Sequence, residues 1–139
     1  MGSLPVMDAN RRLSLTANDD GTVTAVNRHG AQLTIDPDGA AGLSPLELLL
    51  AALGSCGAVD VGSLMRKQRA PITPFGIEVE GLKEDTRMRW LRVTYDVATD
   101  VDVDKLERAR WRTAEDLCTV SRTLTHGALV EHIVRREDR

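Results

Sequence analysis

The sequence predicts an α+β domain, and three patterns support this prediction. Apolar and polar residues alternate along the first third of the chain and again between residues 77 and 97, as in half-buried β-strands. A long apolar segment follows Ser44, and a second segment with apolar residues three or four apart runs to Gly127. The expected element order is βββ-α-ββ-α-β. A chain of 139 residues is expected to form one domain, residues 1–139.

The opening is expected to form a three-stranded antiparallel meander. Leu13, Leu15 and Ala17 share one face of the first strand, and Asp20-Gly21 is a strong hairpin signal directly after it. A second strand is expected over residues 22–27. A third, with one apolar face over residues 31–35, should end at the turn-forming residues 36–39.

A helix is expected to begin directly after Ser44. Ser44 is a favoured N-cap, Pro45 suits the first helical position, and Glu47 places a carboxylate near the exposed amides. From Leu46 to Met65 the apolar residues surround the helix axis. Because a chain of this size has few ways to enclose such a helix, we expect a second subunit to cover part of it.

The second half of the chain again shows the alternation typical of strands, followed by the spacing typical of a helix. A hairpin at residues 83–86 is expected to join two strands, and the acidic segment Asp100 to Asp104 should cap a second helix that ends at Gly127. A last strand is expected from Ala128 to Arg135.

Composition argues against several classes of partner. Eighteen Lys and Arg against 21 Asp and Glu give a net charge of -3, which offers no broad attraction for nucleic acid or anionic lipid. The longest charge-free apolar stretch, Leu48 to Val59, is shorter than the roughly 20 residues of a membrane span. The first residues lack a secretory pattern. We therefore expect a cytoplasmic protein with no nucleic-acid or membrane partner.

Two cysteines, Cys56 and Cys118, carry the candidate chemistry. In a reducing compartment a permanent disulfide is uncommon, which leaves two interpretations: inert buried thiols, or a transient redox pair. Neither cysteine belongs to a Cys-x-x-Cys pair or to a zinc-type cluster with the histidines His29, His126 and His132, so no metal is expected.

Gly54 and Gly57 flank Cys56 within a strongly helix-forming segment, and each costs a helix interior about 1 kcal/mol relative to alanine. One explanation is close packing of another element against the helix. The other is a bend that leaves Cys56 near the amino end of a new helical piece, where exposed amides would stabilise the thiolate.

Glu47 is a candidate site residue whose position raises a geometric question. It lies nine positions before Cys56, so on an unbroken helix the two side chains point in opposite directions, about 13 Å apart along the axis. They can share a site only if the helix is interrupted near Gly54 or if subunits contribute to each other's sites. Otherwise Glu47 is only a helix-start carboxylate.

Two segments resemble motifs of the OsmC/Ohr family of osmotically inducible and organic hydroperoxide resistance proteins: SPLELLLAALGSC, ending at Cys56, and CTVS, beginning at Cys118. The resemblance implies an intertwined homodimer with antiparallel sheets around two central helices and active sites at the interface. It also implies a thiol-dependent peroxidase that reduces organic hydroperoxides. Cys56 would be the reactive cysteine and Cys118 the resolving one, with Glu47 orienting the site, an external dithiol as reductant, and no metal, haem or flavin.

The chain departs from the peroxidase pattern at two points. Leu46 stands where those enzymes carry an acidic residue, and Glu47 comes one position later, which matches another branch of the family. Arg28 is the first candidate for the family's thiolate-holding arginine, followed by Arg11 and Arg12. The rival interpretation is a non-enzymatic dimer that binds a small apolar ligand or a protein partner, with structural cysteines.

Overall fold

The computed structural model describes residues 8–136. Its first part is an antiparallel meander of β1 (Ser14–Ala17), β2 (Val23–Val26) and β3 (Gln32–Ile35), in that order. The predicted meander is therefore confirmed. A single parallel bridge between Ile35 and Leu43 then leads the chain towards the first helix.

Helix α1 (Pro45–Lys67) begins where the sequence predicts. The Glu47 amide donates to Ser44 Oγ at 3.2 Å, and the Ser44 amide donates to Glu47 Oε1 at 2.9 Å, so the two residues form a capping box. By length and composition alone α1 could span a membrane, a test that the core helix of a soluble protein also passes. Val61 and Met65 on α1 are fully buried and form the core with Ala109.

A long hairpin of β4 (Gly76–Glu84) and β5 (Arg87–Asp96) packs on α1. An added Cβ at Gly54 would lie 2.8 Å from Val79 Cγ2, and one at Gly57 would lie 2.5 Å from the Tyr95 hydroxyl. The two glycines thus let the hairpin approach the helix closely. Because α1 is continuous through both glycines, no new helical piece begins beside Cys56, and that alternative is wrong.

The second predicted helix is interrupted. It consists of α2 (Val103–Arg112), a π-helical turn (Thr113–Leu117) and α3 (Thr119–His126), separated from the turn by Cys118 in an extended conformation. The Cys118 amide donates to the Thr113 carbonyl at 2.8 Å, which closes the wide turn. Gly127, with φ of 82°, ends α3 as expected.

The predicted last strand, Ala128 to Arg135, does not form in the single chain, where residues 127–136 belong to no helix or strand. A strand needs a neighbouring backbone to pair with, and this segment forms no strand pairing with other residues in the range 8–136. Its apolar residues are exposed instead: Leu129, Val130, Ile133 and Val134. The fold class is nevertheless the predicted α+β, and residues 8–136 form two antiparallel sheets and three helices.

Candidate active site

The fold brings the two cysteines together. Cys56 lies in the middle of α1 and Cys118 at the N-cap of α3, 62 positions later. Their sulfurs and a carboxylate oxygen of Asp60 all lie within 4.8 Å of one another, and both thiols are free. The predicted meeting of the two thiols is confirmed.

Cys118 is almost completely buried, with 1% of its surface exposed. Its sulfur accepts a hydrogen bond from the Ser121 amide at 3.4 Å, as an N-cap side chain does. Burial raises the pKa of the Cys118 thiol; the adjacent Cys56 side chain also raises it, and the Ser121 amide acts in the opposite direction. Cys118 thus occupies the helix start that one of the two interpretations of the sequence places at Cys56.

Cys56 is half-buried, and Asp60 follows it by one helical turn on the same face of α1. The Asp60 carboxylate makes no hydrogen bond or ion pair with any other residue between 8 and 136. Sequence reasoning missed this residue. Its signal was an acidic side chain inside an otherwise apolar helix, four positions after a cysteine.

A cavity of about 210 Å³ adjoins the thiol pair, with Cys118 in its wall. Tyr95 and Thr113 line it, and the buried Thr113 Oγ1 has no hydrogen-bond partner among the described residues. Burial raises the pKa of the Tyr95 hydroxyl, and Cys118 beside it acts in the same direction. Arg110 also lines the cavity while its guanidinium bonds Glu107 at 2.8 Å.

The apolar part of this wall continues into a larger cavity. Leu53, Val93 and Ser121 line both the 210 Å³ cavity and a neighbouring one of about 650 Å³ between α1, β5 and α3. The larger cavity adds further leucines from the helices, Leu46, Leu49 and Leu124. The two cavities therefore adjoin at the three shared residues, on the side of Cys118.

Glu47 does not lie at the thiol pair of its own chain. It caps the start of α1, and the Ser44 amide lowers the pKa of its carboxyl. Because α1 is uninterrupted, Glu47 could serve a thiol site only in another copy of the chain. Of the arginine candidates, Arg28 bonds His29 at 3.2 Å and Arg11 bonds the Asn10 carbonyl at 2.8 Å, while Arg12 is exposed.

Comparison with known proteins identifies the family. A model of OsmC-like proteins matches residues 37–133. The chain belongs to the OsmC-like protein family. A comparison with curated proteins finds no match.

Solved structures show the same fold. A hypothetical protein from Aquifex aeolicus is 25% identical, with 86% of this chain and 89% of that chain covered and a TM-score of 0.73. An OsmC-like protein from Mycoplasma pneumoniae is 19% identical over the same shares, with a TM-score of 0.74. The organic hydroperoxide resistance protein OhrB of Bacillus subtilis is 21% identical over 83% of this chain and 91% of that one, with a TM-score of 0.55.

Proposed function

We propose that this OsmC-like protein is a thiol-dependent peroxidase that reduces organic hydroperoxides. The observation that carries the proposal is that Cys118, distant in the sequence, lies within 4.8 Å of both Cys56 and Asp60. Membership of the OsmC-like family and the structural similarity to an organic hydroperoxide resistance protein agree with it.

Cys56 is the better candidate for the attacking sulfur because it is the more exposed of the two. Its thiolate attacks the terminal oxygen of the hydroperoxide, the O–O bond breaks, and the alkoxide takes a proton and leaves as an alcohol. The Cys118 sulfur then attacks the Cys56 sulfenic acid. A disulfide forms, and the hydroxyl leaves as water with the Cys118 proton. An external dithiol reduces the disulfide and is itself oxidised.

The adjoining cavities favour an alkyl or lipid hydroperoxide over hydrogen peroxide. Leu53 and Val93 offer apolar surface beside Cys118, and burial of a hydrocarbon tail contributes about 25 cal/mol per Å². The hydroxyls of Tyr95 and Thr113 are available to donate hydrogen bonds to peroxide oxygens. Hydrogen peroxide has no hydrocarbon to bury there.

The test is consumption of cumene hydroperoxide by the purified protein in the presence of a dithiol. The wild type should turn over, and Cys56→Ser should lose activity. Cys118→Ser is the matched control: its Cys56 should still be oxidised once and be trapped by dimedone. Retained activity in Cys56→Ser would overturn the assignment.

We also propose that the chain forms a homodimer. The chain has a solvent-accessible surface of 11315 Å². A folded monomer of this mass is expected to have about 7,100 Å². Large apolar side chains are exposed on the first sheet, among them Leu15 and Leu33, and on the segment from Leu129 to Val134. Burial of several thousand Å² is the scale of an obligate dimer interface. Light scattering should give twice the chain mass, and a monomer would contradict this proposal.

In such a dimer, Glu47 can contribute to the site of the partner subunit, which is the remaining route for its proposed role in orienting the site. A cytoplasmic location, which would supply the dithiol, is part of the same proposal.

The rival function, binding of a small apolar ligand, is favoured by one observation. A groove of about 460 Å³ between α1 and β4 is lined by Leu50, Phe75 and Ile77 and by no cysteine. A binding module would leave hydroperoxide untouched and would bind an apolar ligand equally well in the Cys56→Ser variant.

A further inference from the structure

The reduced thiol pair and Asp60 have the composition and placement of a metal site. Two potential thiolates and one carboxylate lie within 4.8 Å of one another. Thiolate sulfur is a soft ligand that selects metals such as zinc over magnesium or calcium, and carboxylate oxygen completes many zinc sites. Sequence spacing could not indicate this group, because its third ligand lies on a distant helix.

The distances suit a tetrahedral ion after a small adjustment. With zinc bonds of about 2.3 Å to sulfur and 2.1 Å to oxygen, the ligand atoms of a tetrahedral site lie about 3.6–3.8 Å apart. The upper limit of 4.8 Å is about 1 Å longer. Rotation of the half-buried side chains of Cys56 and Asp60 can shorten it without moving the backbone.

The local structure supports a ligand in two further ways. Cys56 and Asp60 are one helical turn apart, a spacing with which a helix can present two ligands to one zinc ion. The Asp60 carboxylate, half-buried, has no hydrogen bond or ion pair within residues 8–136. A cation would supply the partner that a carboxylate in this position otherwise lacks.

We propose that Cys56, Asp60 and Cys118 bind one zinc ion in the reduced protein, with water as the fourth ligand. The bound ion and the Cys56–Cys118 disulfide exclude each other, because both require the same two sulfurs. The site is thus a metal site that oxidation of the thiols abolishes. Binding does not depend on peroxidase activity, so either proposal can fail alone.

The experiment uses cobalt(II) as a spectroscopic probe on the full-length protein, reduced and then freed of reductant without oxygen. Cobalt should bind at one ion per chain with thiolate-to-metal charge-transfer absorption in the near ultraviolet, and zinc should displace it. Diamide joins the two thiols by taking up their hydrogens and becoming a hydrazine, so it should abolish the absorption. No hydroperoxide is involved in any of these steps.

Variants separate this site from adventitious binding. Cys56→Ser and Cys118→Ser should lose the absorption. Loss of a residue that only hydrogen-bonds to a metal ligand already weakens metal binding by about 10–100-fold. Asp60 is proposed as a direct ligand, so Asp60→Asn should weaken cobalt binding at least tenfold. Glu78→Gln, an exposed carboxylate on β4, is the matched control and should bind like the wild type. Absence of thiolate absorption in the wild type, or equal affinity in Asp60→Asn, would overturn the proposal.

A second measurement uses only the wild type and therefore does not depend on the folding of any variant. Saturating zinc should protect both Cys56 and Cys118 from alkylation by at least tenfold in rate, as read by mass spectrometry of the peptides. Unchanged alkylation of both cysteines at saturating zinc would overturn the proposal.

Discussion

Replacing Gly54 by alanine tests whether the close packing of the β4–β5 hairpin on α1 requires glycine at this position, two residues before Cys56. The added Cβ would lie 2.8 Å from Val79 Cγ2 and 3.5 Å from Ile77 Cγ2. Because carbon atoms prefer separations of about 3.5–4.0 Å, Val79 would have to retreat by about 0.7 Å or more. Such overpacking costs about 1–3 kcal/mol, and alanine returns about 1 kcal/mol of helix propensity. The expected net loss in the free energy of unfolding is up to about 2 kcal/mol.

Gly62→Ala is the matched control on the same helix. Gly62 is also buried, but its added Cβ would be 3.6 Å from its nearest neighbour, Arg66 Nη1, which is an ordinary contact. This variant should gain up to about 1 kcal/mol, so the two variants should differ by about 1–3 kcal/mol. Urea unfolding at equal chain concentration measures the difference. If Gly54→Ala is as stable as Gly62→Ala, the close-packing argument is refuted.

Three further predictions concern the helix cap, the thiols and acid stability. Ser44→Ala should cost about 1 kcal/mol in the free energy of unfolding, because the helix loses its cap, and should leave peroxidase turnover unchanged. Glu47→Gln should lower peroxidase turnover. If the two variants turn over equally fast, Glu47 acts only as a helix cap. Iodoacetamide should modify Cys56 before Cys118, because Cys118 is buried and its thiol pKa is raised; the reverse order, read by peptide mass spectrometry, would exclude Cys56 as the attacking sulfur. Hydrogen bonds from the backbone amides of Ala41 and Asp38 lower the pKa of the Asp36 carboxyl from its ordinary value of 3.8. Ionised Asp36 therefore stabilises the folded protein at pH values above 3.8, and this stabilisation is lost as the pH falls through the lowered pKa. Asp36→Asn should therefore flatten the acid limb of the urea midpoint against pH, and an unchanged limb would contradict this.

Local chemistry explains why the start of the fold is predictable. Two signals act over only a few neighbouring residues: the turn at Asp20-Gly21 and the helix cap formed by Ser44, Pro45 and Glu47. Such signals can be read directly from the sequence. The interruption at Cys118 is different. The apolar residues keep their helical spacing on both sides of Cys118, so the spacing predicts one continuous helix. The π-helical turn depends on the hydrogen bond from the Cys118 amide to the Thr113 carbonyl, which the spacing does not reveal.

The remaining differences come from long-range contacts. The segment from Ala128 to Arg135 is predicted to be a strand. A strand forms only by pairing with another backbone, and among the described residues this segment makes no such pairing. The meeting of Cys56 and Cys118 was expected from family resemblance, not from spacing. Tyr95 and Thr113 reach the cavity only through tertiary packing, so nothing in their local sequence marks them.

The most direct test of the central claim is a single turnover of the reduced protein without reductant. One equivalent of cumene hydroperoxide should yield one equivalent of cumyl alcohol and a peptide map in which Cys56 is joined to Cys118. Alcohol formation with both thiols still free, or no alcohol at all, would contradict the account.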